Sequence, residues 1–168
     1  IIGLGMIGKV LARRLAGFEV KLIYTDPVRP TPEEAKKLNV EYREPDDLFR
    51  EDYAYFSSVS SSWVAHAGRY ADEMTQRFGL GPQSTVIEVA SNDGYLLQWY
   101  QRAGVPVLGI EPARNIARVA EEQKGIPTIS EFFGRELAGQ LVAGGQRADV
   151  IHANNVLAHV PDLNGVVA

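Results

Sequence analysis

Two acidic residues that close apolar runs are the best candidates in this sequence for binding a polar ligand. These residues are Asp26 and Glu111, and each follows an earlier turn that contains glycine, at residues 3–8 and residues 90–94. A carboxylate at the end of a parallel strand can accept hydrogen bonds from both hydroxyls of a ribose. The repeated arrangement of turn and acid therefore predicts two nucleotide-binding units.

The first turn, Gly3-Leu-Gly5-Met-Ile-Gly8, has the spacing of a dinucleotide-binding fingerprint. Gly3 permits a tight turn, Gly5 lets backbone amides approach a pyrophosphate at the positive end of a helix, and Gly8 lets helix and strand pack closely. Asp26 lies eighteen positions after Gly8, and its carboxylate favours NAD over the phosphorylated form of that cofactor. The alternative is a plain tight turn in which Asp26 caps the loop before Pro27.

The second turn follows the apolar strand Val86-Ile-Glu-Val and consists of Ala-Ser-Asn-Asp-Gly at residues 90–94. Strand, turn and a carboxylate after the next strand resemble the arrangement by which class I methyltransferases hold S-adenosylmethionine. In those enzymes the turn approaches the methionine part of the cofactor, and the carboxylate, here Glu111, binds both ribose hydroxyls. The usual glycine-rich turn is replaced here, so spacing alone fits a plain strand and turn equally well.

Five separated motifs, in the same order, resemble the sugar C-methyltransferase family, whose members methylate C3 of nucleotide-linked 4-keto-deoxysugars. The resemblance covers about residues 46–168 and implies S-adenosylmethionine as cofactor and a nucleotide-sugar as substrate. The motifs are Glu51-Asp-Tyr-Ala-Tyr-Phe-Ser-Ser58, Ile87-Glu-Val-Ala-Ser-Asn-Asp-Gly-Tyr-Leu-Leu97, Gly109-Ile-Glu-Pro112, Phe132-Phe133 and Ala153-Asn-Asn-Val-Leu-Ala-His-Val-Pro-Asp162.

The resemblance implies two parts of a cofactor site around the second turn. Glu88, Asp93 and Gly94 are expected to line the methionine end of the cofactor. Glu111 is expected at the ribose.

The resemblance also implies walls for the rest of the cofactor. Phe132 and Phe133 are expected beside the adenine, although packing in the core would explain two aromatic residues equally well. Asn154 and Asn155 are expected to face the cofactor from the end of the strand near residues 149–153, the fourth strand of the methyltransferase part.

Methyl transfer to carbon needs a base that takes a proton beside the ketone and a donor that steadies the ketone oxygen. His159 is the candidate for acid-base or polar contact work, with a capping or surface histidine as the alternative. Tyr53 and Tyr55 could donate to a substrate oxygen or phosphate from a lid-like segment. No catalytic role is expected for His66, on a helix, or for His152, inside a strand.

The first part of the chain resembles a different family. Residues 1–44 are similar to the NAD-binding domain of D-2-hydroxyacid dehydrogenases, in which Ala-Arg-Arg-Leu, a strand and Asp-Pro also follow the fingerprint; here these are Ala12 to Leu15 and Asp26-Pro27. The Arg, Glu and His that those enzymes use later cannot be placed. The expected domains are a partial NAD-type unit at 1–45 and a truncated methyltransferase core at 46–168, joined by a crossover near residue 45.

Short apolar runs alternate with helix-period segments, which is typical of βαβ units that build a parallel sheet. We therefore predict an α/β, Rossmann-like, doubly wound and mostly parallel fold, incomplete at the C-terminal end and with an unpaired sheet edge. Strands are expected near residues 20–24, 40–42, 85–90, 105–110, 127–129 and 149–153, with helices near 6–16, 32–38, 63–78, 95–103, 113–124 and 133–142.

Composition restricts the classes of function. The 168 residues include no cysteine and carry a net charge of −4, so disulfides and thiolate chemistry are excluded, and a nucleic acid polymer or an anionic membrane is not an expected partner. A cytoplasmic location is expected, no metal site is predicted, and the oligomeric state stays open.

Three functions remain in competition. The leading interpretation is a methyltransferase core that binds S-adenosylmethionine and is weak or inactive alone. The alternatives are a fragment of an NAD-dependent D-2-hydroxyacid dehydrogenase and a non-catalytic chimera, either nucleotide-binding or purely structural.

Overall fold

The computed structural model describes residues 1, 3–44, 47, 53–157, 160 and 163–167. The chain divides into two compact units, residues 1–48 and residues 49–168. The predicted border after residue 45 lies three positions before this division.

The first unit is a small parallel α/β arrangement. Strands β1 and β2 pair in parallel, with Leu22 opposite Val40, and the backbone of Ile1 bonds to both Ile23 and Thr25 alongside β1. The Thr31 hydroxyl accepts the amide of Glu34 and so caps the second helix. The elements of this unit are α1 (Met6–Leu15), a 3₁₀ turn (Ala16–Phe18), β1 (Leu22–Tyr24), α2 (Pro32–Leu38) and β2 (Val40–Tyr42).

The second unit contains a four-stranded sheet in which every pair is parallel. Its elements are a 3₁₀ turn (Ser57–Val59), α3 (Ser61–Phe78), β3 (Val86–Val89), α4 (Leu97–Arg102), β4 (Val107–Ile110), α5 (Arg114–Lys124), β5 (Thr128–Ile129), α6 (Arg135–Ala143), β6 (Val150–His152) and α7 (Leu163–Val167). The spatial order of the strands is β5-β4-β3-β6.

Helices cover both faces of this sheet. Val86 packs in a buried cluster with Ala71 of α3 and Tyr100 of α4, whereas its neighbour Ile87 packs with Leu137 of α6. Successive residues of a strand point to opposite faces, so this alternation places one helical layer on each side. The predicted doubly wound, parallel α/β fold is confirmed.

The strand order indicates where a ligand-binding crevice is expected, at the carboxyl ends of the strands. The chain adds β4 and β5 on one side of β3 and then returns to add β6 on the other side. In open α/β sheets, ligands bind outside the carboxyl ends of the strands where the order reverses. That position lies beyond the carboxyl ends of β3 and β6. The chain continues there into residues 90–94 after β3 and into residues 153–155 after β6.

Helices and strands match the predicted ones about equally well: α2 and β2 match at both ends, and no end of the other predicted elements differs by more than two residues. The strands begin one or two residues later than predicted, or end one residue earlier, because only the paired residues of each apolar run belong to the sheet. Among the described residues, no helix is long and apolar enough to cross a membrane.

Candidate functional site

Residues 90–94, directly after β3, form a compact loop that we call the bend. Ala90, Asn92 and Gly94 all have positive φ angles, of 53°, 50° and 74°, a conformation that is costly for any residue except glycine and less so for asparagine. Ser91, Asn92 and Asp93 are buried. A strained, buried backbone directly after a central strand is typical of a ligand-binding turn.

Glu111, directly after β4, holds the bend through both of its carboxylate oxygens. One oxygen accepts the amide of Asn92 at 2.9 Å, and the other accepts the amide of Ala113, also at 2.9 Å. Burial raises the pKa of Glu111, and the two backbone amides oppose that rise. A carboxylate offers about four acceptor positions, so each oxygen keeps a lone pair with which it can accept a ligand hydroxyl.

Glu88 is the most unusual acid in the site. Its side chain is 1% exposed, and neither oxygen has a partner at hydrogen-bonding geometry among the described residues. Burial raises its pKa well above the usual value, polar contacts with Tyr95 and Asn154 partly oppose the rise, and the nearby acids Glu111 and Asp93 add to it. A buried carboxyl without a partner has capacity to bind a hydrogen-bonding or cationic group of a ligand.

Residues 53–60, which we call the tyrosine segment, lie across the bend. The amide of Ser57 donates to Oδ1 of Asn92 at 2.7 Å, and Nδ2 of Asn92 donates to the carbonyl of Tyr55 at 3.1 Å. The amide of Ser58 donates to Oδ2 of Asp93 at 3.1 Å. The segment predicted to be lid-like is therefore bonded directly to the predicted cofactor turn.

Asp93 was expected to line the methionine end of the cofactor, and in the structure its carboxylate contacts other residues of the chain. Besides Ser58, its carboxylate faces Lys124, whose Nζ lies 3.4 Å from Oδ1, at a distance typical of an ion pair rather than a well-formed hydrogen bond. Both side chains are largely shielded from water. The carboxylate thus joins the bend to the tyrosine segment and to the end of α5.

Tyr53 and Tyr55 take different positions in the tyrosine segment. The carbonyl of Tyr53 accepts Nδ2 of Asn115 at 2.8 Å, and burial, Glu111 and Tyr55 raise the pKa of its phenol, in that order of effect. The side chain of Tyr55 is 60% exposed. The structure therefore brings Tyr53 near the predicted ribose acid and leaves Tyr55 at the surface.

The other predicted cofactor residues lie in different surroundings. Phe133 packs against the buried cluster that contains Ile110, as its alternative explanation expects, while Phe132 is 42% exposed. Asn154 lies near Glu88 and Tyr95. Asn155 is exposed and has a φ of 57°.

The three histidines differ in their surroundings. His159 lies outside the described residues. His152 is buried, its Nε2 is 2.9 Å from the Tyr100 hydroxyl, and burial lowers its pKa. His66 is exposed and stacks on Trp63. Within the described part of the chain, no group of three or more histidine, aspartate or glutamate residues could hold a metal ion.

Two residues near the site were not singled out from the sequence. Asn92 bonds to the tyrosine segment, and Tyr95, buried and stacked on Trp63, lies beside Glu88. The asparagine at a glycine-like position in the second turn was a usable signal, because asparagine tolerates positive φ. Nothing in the local sequence distinguishes Tyr95 from an ordinary core aromatic.

The glycine turn of the first unit has the packing of a dinucleotide fingerprint. Gly3 has a φ of 83°, and a side chain at Gly8 would overlap the Gly3 carbonyl, so helix and turn meet closely only because both are glycine. The carboxylate of Asp26 accepts the amide of Leu4 at 2.6 Å and that of Val28 at 2.8 Å. Gly5 caps α1. Asp26 therefore stabilises the turn and, as with Glu111, keeps unused lone pairs.

Comparison with family models separates the two parts of the chain. Residues 63–168 match a model described as a methyltransferase domain. Residues 1–58 match the NAD-binding domain of D-isomer specific 2-hydroxyacid dehydrogenases.

Individual relatives follow the same division. C-methyltransferase NovU of Streptomyces niveus is 36% identical over 129 residues, which are 74% of this chain and 30% of NovU. A ubiquinone biosynthesis O-methyltransferase of Methylobacterium nodulans is 25% identical over 142 residues, 70% of this chain and 56% of that protein. A glyoxylate reductase of Thermococcus kodakarensis is 43% identical over 51 residues, 30% of this chain and 15% of the reductase. The chain thus spans between about a third and about half of the length of its methyltransferase relatives.

Proposed function

The chain belongs to the methyltransferase domain family, and from that premise we propose that its second unit binds S-adenosylmethionine and serves C-methylation of a nucleotide-linked 4-keto-deoxysugar. The cofactor part of this proposal is supported by the bend and the acids around it. The choice of carbon as acceptor and of a sugar as substrate is supported by the 36% identity to a protein named as a C-methyltransferase and by the motifs shared with the sugar C-methyltransferases.

The observation that carries the proposal is the position of Glu111. It is a buried carboxylate at the carboxyl end of β4, beside the point where the strand order reverses, and each of its oxygens accepts one backbone amide at 2.9 Å. The two amides fix the orientation of the carboxylate and leave one lone pair on each oxygen. This is the donor and acceptor geometry that a pair of adjacent ribose hydroxyls needs.

The residues present fit the rest of the cofactor. Glu88 offers a buried carboxyl without a hydrogen-bond partner among the described residues, suited to an ammonium group. Gly94 has a positive φ of 74° in the bend, and the space that a Cβ atom would take at this position is filled by Ile126. We assign the remaining walls of the cofactor site to Phe132, which is half exposed, and to Asn154 and Asn155, which follow β6 in the chain. When bound, S-adenosylmethionine supplies a methyl group made electrophilic by its sulfonium.

The chain's own residues have the remaining roles in this proposal. A base must remove the proton beside the sugar ketone, and we assign this to His159, beyond β6. Tyr53 and Tyr55 donate hydrogen bonds to substrate oxygens from the tyrosine segment, since phenols are donors at neutral pH. The aligned residues are 30% of NovU, so these roles are proposed for a core that corresponds to about a third of that relative.

We expect Glu111→Ala to weaken binding of S-adenosylhomocysteine by about 1–3 kcal/mol, the value of hydrogen bonds to a charged acceptor. Isothermal titration calorimetry of the two proteins measures this difference. Glu122→Ala is the matched control, because it removes an equal charge from an exposed position of α5 and leaves the affinity unchanged. Equal affinity of Glu111→Ala and the original protein would contradict the assignment of the ribose site.

A second candidate function rests on the first unit. The close approach of Gly8 to Gly3 and the position of Asp26 support NAD binding by residues 3–26. The same calorimeter distinguishes the proposals: heat on addition of S-adenosylhomocysteine supports the methyltransferase unit, heat on addition of NAD supports the first unit, and heat with neither supports a chimera that binds no nucleotide.

A further inference from the structure

We infer that Asn92, Asp93 and Lys124 are positioning residues that hold the tyrosine segment closed over the bend and thereby place Tyr53 and Tyr55 at the methyl-transfer site. The inference rests on the proposed function, because it takes the crevice to be the site of methyl transfer. It assigns to Asn92 and Asp93, two side chains of the bend, a role toward the protein's own chain, whereas contact with the cofactor was expected of Asp93.

Asn92 uses both ends of its amide group for this purpose. Oδ1 accepts the amide of Ser57 and Nδ2 donates to the carbonyl of Tyr55. These two bonds close a ring between backbone groups two residues apart in the tyrosine segment. Asn92 is 7% exposed, so loss of either bond would leave buried polar groups unsatisfied.

Asp93 and Lys124 hold the next residue of the segment. The amide of Ser58 donates to Asp93, and the Nζ of Lys124 donates to the Ser58 hydroxyl while facing the Asp93 carboxylate at 3.4 Å. Lys124 ends α5, where a cation is favoured by the helix dipole. Backbone and side chain of Ser58 are therefore each bonded to one member of the ion pair.

Two of these hydrogen bonds are made to the backbone of the tyrosines themselves, so they fix where Tyr53 and Tyr55 lie. The carbonyl of Tyr55 is held by Asn92 and that of Tyr53 by Asn115. Tyr53 stands near Glu111 and Tyr55, and Tyr55 near Tyr95. Release of the segment would thus move the phenol of Tyr53 away from Glu111 and the phenol of Tyr55 away from Tyr95.

The test is Asn92→Gly. Glycine accepts the φ of 50° at this position without strain, so the variant removes both side-chain bonds and keeps the shape of the bend. The matched control is Asn39→Gly, in the first unit, where asparagine has a φ of 51° at the end of α2. Lys124→Met is a second variant that keeps the length of the side chain and removes its charge.

We expect hydrogen exchange at Ser57 and Ser58 to become about tenfold faster in Asn92→Gly and severalfold faster in Lys124→Met, as fits the loss of one or two net hydrogen bonds. Asn39→Gly leaves this exchange unchanged. In Asn92→Gly the ionisation of Tyr53, followed by ultraviolet titration as the difference from a Tyr53→Phe background, moves down toward the ordinary tyrosine value, because burial and Glu111 no longer raise its pKa. A role in stability alone would not produce this spectroscopic change.

Unchanged exchange in both variants would overturn the inference, and so would faster exchange with an unchanged Tyr53 titration. Neither readout needs a bound cofactor. Failure of the original protein to bind S-adenosylhomocysteine would therefore count against the proposed function alone, and the exchange and titration results would still decide the role of the three residues.

Discussion

Replacement of Gly94 by alanine lowers the free energy of unfolding of the second unit by about 3 kcal/mol. Part of this cost is conformational, since a φ of 74° is unfavourable by about 1–2 kcal/mol for a residue with a Cβ atom. The rest is steric. The added Cβ would overlap Cδ1 of Ile126, a fully buried side chain, and overpacking of a core costs about 1–3 kcal/mol.

Gly125→Ala separates these two costs. Gly125 has a φ of 65° at the end of α5, and no described atom lies within 4 Å of a Cβ added there. Its replacement therefore carries the conformational cost alone, about 1–2 kcal/mol. Urea unfolding followed by circular dichroism gives both values. Equal losses in the two variants would show that Ile126 moves aside freely and that the bend is less tightly packed than the structure indicates.

Glu88→Gln makes the second unit more stable at alkaline pH, by about 3 kcal/mol at pH 8, because an unpaired buried carboxylate costs several kcal/mol. The sign follows from the raised pKa of Glu88. Folding favours the protonated acid, so the stability that this proton contributes is full below the ordinary pKa of 4.5 and is lost as the pH rises through the higher folded value. Glutamine is neutral throughout, and the variant lacks this loss.

The measurement is a series of urea unfolding curves between pH 4.5 and pH 8 for the original protein and the variant. The difference between them should grow steadily with pH. Glu122→Gln, an exposed position of α5, is the control and should show no such growth. A constant difference for Glu88→Gln across the range would mean that the carboxyl keeps its ordinary pKa and is solvated or paired in solution.

Much of the fold follows from local signals in the sequence. Thr31 with Pro32 begins α2, and Gly79 ends α3 in the left-handed conformation. These residue types are common start and stop signals beside helix-period runs. Apolar runs near residues 85–90 and 105–110 predicted parallel strands, which the structure has at 86–89 and 107–110. The ends of the strands could not be predicted as well as their existence, because the last paired residue depends on the neighbouring strand and not on the run itself.

The candidate site could be predicted in outline only. Glu111 was found because an acid at the end of a strand has a known use in this class of fold. The hydrogen bonds of Asn92 and Asp93 to Ser57 and Ser58 could not be predicted. The serines lie 35 positions earlier in the chain, and only the folded sheet brings them to the bend. Contacts of this kind carry no local pattern.

The pairing of β3 with β6 has a kinetic consequence for the site. Val86 lies opposite both Val107 and Val150, and closing the longer of these two loops costs more chain entropy. We expect β6 to join the sheet after β4 during folding, which makes the crevice between β3 and β6 a late structure. A ligand bound there should slow unfolding and leave the refolding rate nearly unchanged, a pattern that stopped-flow measurements with and without S-adenosylhomocysteine would reveal.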